Sequence, residues 1–261
     1  LVRFVNENSD IQALTRIGGD LELLRLLVAN EFPVIVENGG TIFEGYDWMG
    51  HYRTIVGYND TQQQFYIYDS FLGIGDSGEG VLETYDRLDE HWRVFNRVFI
   101  VVYHPQRENF LMELLGDYAD PTNAAKRAAD TAREEANANR QDAYAWFNLG
   151  SALTALGDYD QAAGAFDLAY ATETGLPWRI LWYRFTPYEA LYETGRYEDV
   201  LSYAQGSLAH GAEYVEETYY WQGRAHAALG NTAQAADAYR IALQHNRLFA
   251  PAQEALNSLT Q

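Results

Sequence analysis

The chain has 261 residues, 48% of them hydrophobic, which is long enough for two modest domains and too apolar for a disordered chain. Eighteen basic residues against 37 acidic ones give a net charge of −19, with 8 basic and 18 acidic in residues 1–116 and 10 and 19 in the remainder. A surface so evenly acidic repels phosphate backbones and anionic membranes and excludes nucleic acid as a partner. There is no cysteine, which rules out disulfides, thiolate metal sites and a cysteine nucleophile within this chain. No apolar run approaches the roughly 18 residues of a membrane span, and Leu1–Asp10 lacks the basic start and apolar stretch of a secretory signal. Leu rather than Met at position 1 reads as a processed or trimmed start. Export stays possible, and the compartment stays open.

The N-terminal half reads in order as helix, strand, hairpin, helix, strand. A helix opens at Asp20 and runs amphipathically to about Asn30, followed by Phe32-Pro33 and a short strand over Val34–Val36. A glycine-rich loop through Gly39, Gly40 and Gly45 leads to two β-rich runs, His51–Tyr58 and Gln64–Asp69, which flank a turn at Asn59–Gln63. A helix near Tyr85–Trp92 and a closing strand in "RVFIVVYHP" complete an α+β pattern with an antiparallel sheet. His51 opens the first hairpin strand and Asp69 closes the second. In an antiparallel pair those two positions lie at the same end of the ribbon. A carboxylate on one ring nitrogen fixes the tautomer and frees the other nitrogen to act on a nucleophile. Taken alone, the two residues read as a hydrogen-bonded strand histidine and a turn-capping aspartate.

Other candidates carry less. Ser70 lacks the glycines of a nucleophile elbow, and Ser77 in "GIGDSGEG" lacks the lysine of a phosphate-binding loop. Asp47, His51 and Asp69 match no particular metal site, and no metal or cofactor is expected. His91-Trp92 reads as packing against the sheet.

"LLRLLVANEFPVIVEN" with "GHYRTIVGYNDTQQQFYIYDS" resembles the C-terminal portion of the papain-like cysteine peptidases related to bacteriocin-processing, double-glycine leader peptidases. The resemblance covers about residues 11–103. It implies a histidine role for His51 in Gly-His-Tyr and an orienting-acid role for Asp69 in Asp-Ser, in a protein of bacterial type. It also implies a cysteine at the start of an upstream helix, where the helix dipole lowers the thiol pKa. No such cysteine or helix is found in this chain, so the papain-like domain is expected to be incomplete and inactive by the cysteine route. The nucleophile-bearing segment is then either missing ahead of Leu1 or was never part of a module that only binds.

From about residue 117 to 261 the reading changes to an all-α array. "DPTNAAKRAADTAREEANANRQDA" reads as a helix opened at Asp120-Pro121, half of a degenerate capping unit. Three segments then align on Gly157, Gly195 and Gly230, close to a 34-residue period. In the first, Trp146, Leu149, Gly150, Leu153, Gly157-Asp158-Tyr159, Ala162, Phe166 and Ala169 resemble the tetratricopeptide (TPR) repeat; the third matches through Tyr219, Gly223, Gly230, Ala235, Tyr239 and Ala242. The second departs, with Pro187 and Tyr188 at the positions of Leu149 and Gly150, so its first helix should start late or kink. The resemblance implies a concave peptide- or protein-binding groove lined by Tyr144, Phe147, Trp182, Phe185, Glu189, Tyr192, Tyr220 and Arg224, or a short platform that holds the chain's own N-terminal half. The overall expectation is an incomplete peptidase-type domain over residues 1–116 fused to a TPR array over 117–261. The alternative is a non-enzymatic peptide- or protein-binding scaffold.

Overall fold

The structure is a computed structural model that describes residues 1–259. The N-terminal half contains helix α1 (Val2–Asn8), strand β1 (Gln12–Arg16), helix α2 (Leu21–Ala29), and strands β2 (Val34–Gly40), β3 (Met49–Asn59), β4 (Gln64–Asp69) and β5 (Val81–Thr84). Helix α3 (Tyr85–Trp92), strand β6 (Phe99–Tyr103) and helix α4 (Glu108–Leu115) follow. The six strands form one antiparallel sheet in the order β1-β6-β2-β3-β4-β5. Asp20 caps α2 by accepting from the Leu23 N–H at 2.7 Å, and Thr84 caps α3 through the Arg87 N–H.

Residues directly opposite in an antiparallel pair share a face. One face therefore carries Val34 and Val36 of β2, Ile55 of β3, and Phe65 and Ile67 of β4. It is covered by Leu24 and Leu27 of α2 and by Leu88 and Trp92 of α3, all fully buried. The opposite face, near the β2–β3 end, receives the chain's own helical half. Two glycines leave room on that face, Gly39 for the Arg93–Phe95 turn of the same half and Gly50 for the helical half. A Cβ on Gly39 would fall 2.4 Å from Val94 Cγ1, and one on Gly50 would fall 2.8 Å from the Tyr183 ring. Gly39 and Gly40 are thus strand residues chosen for packing and not the loop expected from composition.

Helix α5 (Pro121–Ala138), capped by Asp120, packs beside α6 (Ala143–Ala155), which pairs with α7 (Tyr159–Tyr170). A 3₁₀ segment, Trp178–Trp182, precedes the pair α8 (Thr186–Glu193) and α9 (Tyr197–Ala209); α10 (Glu216–Ala228), α11 (Thr232–His245) and α12 (Ala250–Ser258) close the array. Each hairpin turns on a left-handed glycine, Gly157, Gly195 or Gly230, at φ +77°, +74° and +78°. A Cβ on Gly150 would lie 2.7 Å from the Phe166 ring, and one on Gly223 would lie 2.5 Å from the Tyr239 ring. Small residue on the first helix, ring on the second, is the packing rule of both units. The middle unit inverts it, with Tyr188 on α8 and Ala204 on α9, both fully buried in the same cluster. Its first helix is short and carries Pro187 in its first turn, where the missing N–H costs no helical bond.

Candidate active site

At the end of the β3–β4 ribbon His51 Nε2 lies 3.0 Å from Asp69 Oδ1. The register explains the contact. Asp69 pairs with Arg53 across the ribbon, and His51 is two residues further along the same strand and on the same face. The Asp69 side chain is fully buried and the His51 ring is 16% exposed, so the carboxylate is closed from water while the imidazole reaches the surface. Among the described residues nothing hydrogen-bonds His51 Nδ1.

Asp69 is held from every side. Oδ1 also accepts from the backbone N–H groups of Phe71 at 2.7 Å and Leu72 at 3.0 Å, while the Asp69 and Gly73 backbones exchange two hydrogen bonds across the same turn. Arg53 Nε stands 3.0 Å from Oδ2 in an ion-pair contact, and Arg53 Nη1 donates to Glu83 Oε2 at 2.9 Å. Burial opposes ionisation of Asp69, but the Leu72 and Phe71 N–H groups and the His51 ring outweigh it and hold its carboxyl below the ordinary value. An ionised Asp69 at neutral pH keeps the proton of His51 on Nε2 and the lone pair on Nδ1.

Arg53 and Glu83 belong to this network, and the sequence reading missed both. The available signal was the alternation of β3. An arginine two residues after His51, inside a strand whose next same-face residue is Ile55, must lie buried and needs carboxylate partners. The reading also missed the ring cluster beside the dyad. Phe43 meets His51 edge-on at 5.1 Å and Phe71 at 4.8 Å, and Tyr46 meets Phe71 at 5.2 Å. Ser70 is exposed beside Asp69, His91 Nδ1 contacts the Gly39 carbonyl at 3.1 Å, and the Trp92 indole donates to the Val98 carbonyl.

The proposed groove residues divide into two groups. Phe147 is 1% exposed, packed edge-on against Phe166 at 5.2 Å, and belongs to the interior of the array. Tyr144 Oη accepts from Trp48 Nε1 at 2.8 Å and faces the N-terminal half. Trp182 lies in the 3₁₀ segment beneath the Arg179 guanidinium, and Phe185 precedes α8 and packs against the array interior. Tyr144 instead lines a cleft that it shares with Trp48, His91 and Arg93 of the N-terminal half. Glu189, Tyr192, Tyr220 and Arg224 do gather, on α8 and α10. The Arg224 guanidinium sits 3.8 Å from the Tyr192 ring centre and 6.0 Å from that of Tyr220, with Glu193 at 3.7 Å. Burial and the neighbouring Glu193 raise the Glu189 carboxyl, against the pull of Arg224.

The 3₁₀ segment and its flank clamp the two halves together. Arg184 Nη2 donates to Glu37 Oε2 at 2.5 Å, Arg179 Nη1 donates to the Trp48 carbonyl at 2.7 Å, and Tyr183, Phe95 and Trp48 form a mutual ring cluster.

No family model matches the chain, and no curated protein matches it. Among solved structures, the crystal structure of MamA superposes with a TM-score of 0.46 at 14% identity, covering 54% of this chain and 84% of that one. MamA 41-end from Desulfovibrio magneticus RS-1 and a MamA RS-1 double mutant each give 0.47 at 19% identity, covering 59% of this chain and 82% of theirs. No described helix is long and apolar enough to cross a membrane.

Proposed function

We propose that the chain is a peptidase-type His–Asp module mounted on a TPR-like protein-binding array, in which His51 is the general base and Asp69 its orienting acid. The observation that carries this reading is the 3.0 Å contact between His51 Nε2 and a fully buried Asp69 carboxylate, with the opposite ring nitrogen left for a nucleophile. The papain-like resemblance of residues 11–103 assigns the nucleophile to a cysteine outside these 261 residues. That cysteine would lose its proton to Nδ1 as it attacks a peptide carbonyl. The Glu189, Tyr192, Tyr220 and Arg224 cluster is the part of the array suited to holding a polypeptide, through aromatic anchors and one cation.

The test extends the chain by whatever its gene encodes ahead of Leu1 and assays peptide hydrolysis together with thiol alkylation. Hydrolysis blocked by iodoacetamide, abolished in His51→Ala and weakened in Asp69→Asn supports the reading. An upstream region without cysteine overturns it. A second reading, a scaffold that binds without cutting, is favoured by one feature. Asp69 Oδ1 caps two backbone N–H groups of its own turn and would be required for loop shape in a protein with no catalysis.

A further inference from the structure

We infer that the rim of this site is a docking surface for a basic peptide segment with an apolar anchor, an aliphatic or aromatic side chain flanked by Lys or Arg. The inference builds on the His51–Asp69 reading by naming the class of segment brought to it.

Two loops make the rim. The first, between β2 and β3, presents Phe43 and Tyr46; the second, between β4 and β5, presents Phe71, Leu72 and Ile74. Tyr46 is 48% exposed, Phe71 53%, Leu72 46% and Ile74 52%. Four neighbouring large apolar side chains at half exposure exceed the scattered apolar exposure expected of a surface, and such clusters mark binding sites. The rings are not loose, since Tyr46 and Phe71 both pack on Phe43, which rests edge-on against His51. The helical half does not cover them, because Tyr183 and Arg184, which follow the 3₁₀ segment, dock on the opposite face of the sheet at Gly50 and Glu37.

Charge then selects the occupant. Arg53 is the one Lys or Arg between Asn38 and Asp86, against seven Asp and Glu. Arg53 is buried and already matched by Asp69 and Glu83. The next basic residue along the chain, Arg87, contacts Glu83 and donates to the Ile42 carbonyl. Glu44 and Asp47 on the first loop, and Asp76 and Glu79 on the second, are all exposed. An apolar side chain entering between the rings would thus have carboxylates on both sides. Lysines and arginines beside it gain attraction and long stems that lie along rings, whereas acidic neighbours are repelled.

The test uses the 261-residue chain and two fluorescein-labelled octapeptides of equal length with one central Phe, one flanked by Lys and one by Glu, read by anisotropy. The Lys peptide is expected to bind at least tenfold more tightly, with affinity falling as salt rises. Tyr46→Ser with Phe71→Ser, and separately Glu44→Gln with Asp76→Asn, should each weaken it by tenfold or more. Removing two carboxylates elsewhere, Asp10→Asn with Glu254→Gln, should leave it unchanged, which excludes general attraction to an acidic protein. Equal affinity for both peptides, or binding indifferent to the rim substitutions, overturns the inference. Loss of the dyad reading is seen separately, as failure of His51-dependent hydrolysis. A chain that prefers the Lys peptide but lacks that hydrolysis keeps the docking surface and loses the catalytic role.

Discussion

Replacing Arg184 with methionine should weaken the junction between the two halves more than any other single change there. Glu37 lies mid-strand in β2 with a side chain 2% exposed, and its partner Arg184 is 23% exposed at 2.5 Å. Removing one member of a buried pair leaves the other unpaired, which costs about 3–5 kcal/mol; the partial exposure of Arg184 places this pair at the lower end, about 3 kcal/mol. The guanidinium also lies 5.0 Å from the Phe95 ring centre, and methionine preserves part of that packing. For a chain of this size about 3 kcal/mol corresponds to a fall of roughly 6–12 °C in Tm. Thermal and urea unfolding should be followed by two probes, near-ultraviolet circular dichroism and helical circular dichroism. The Glu37→Gln and Arg184→Met cycle isolates the pair from the rest of the interface. A coupling below about 0.5 kcal/mol, the size expected of an exposed pair, would refute the view that this contact ties sheet to array.

The same carboxylates set opposite pH dependences. Burial raises the Glu37 carboxyl, against Arg184 and Tyr52, so its contribution to stability is greatest below the unfolded value of about 4.3 and declines as pH rises through the folded one; Glu37→Gln should flatten stability across that window. Asp69 is lowered, so its contribution is full above about 3.9 and lost as pH falls through the folded value. Asp69→Asn should remove that acid-side slope, as read from urea midpoints. Nitrogen chemical shifts of His51 should report a proton on Nε2 in the wild type and a mixture of tautomers in Asp69→Asn; an unchanged tautomer would detach Asp69 from His51. Gly223→Ala places a Cβ 2.5 Å from Tyr239 and should cost about 1–3 kcal/mol by overpacking, measured as a urea midpoint shift. Tyr188→Ala should cost about 3–5 kcal/mol, and adding Ala204→Phe should recover part of it if the middle unit is a true inversion of the Gly150/Phe166 arrangement.

The sequence made α2, the β3–β4 ribbon, α3 and the three helical hairpins legible, because each combines a period with punctuation such as Asp20, Gly157 or Asp120-Pro121. Helices α1 and α4 and strands β1 and β5 were not read. β5 is four residues beside a glycine-rich loop, and β1 is a five-residue edge strand with its alternation blurred by the neighbouring α1. Phe147 was misplaced for a physical reason. The family pattern leaves one side of a first helix open, but α6 is enclosed by α5, α7, α8 and the Arg93–Phe95 turn. The paired amides of Asn96 and Asn148, bonded to the Asn148 and Arg93 carbonyls, seal that contact. Tyr144 is diverted to Trp48 by the same docking.

One oxygen atom joins the two functional proposals. Asp69 Oδ1 touches His51 Nε2, the Phe71 N–H and the Leu72 N–H, so the atom that would orient the base also fixes the tip of the loop carrying the exposed Phe71 and Leu72. A segment that presses on Phe71 therefore acts on a turn tied directly to the His51 ring, and Phe43 supplies a second link by touching both rings. In a scaffold the three bonds to Oδ1 need only hold the loop, and an asparagine, whose amide oxygen still accepts from both N–H groups, should preserve it. In an enzyme the negative charge is required to stabilise the imidazolium. Asp69→Asn thus separates the alternatives within a single variant. Retained Lys-peptide binding with weakened hydrolysis marks a catalytic carboxylate, whereas retained binding with hydrolysis unchanged or absent in both forms marks a loop anchor.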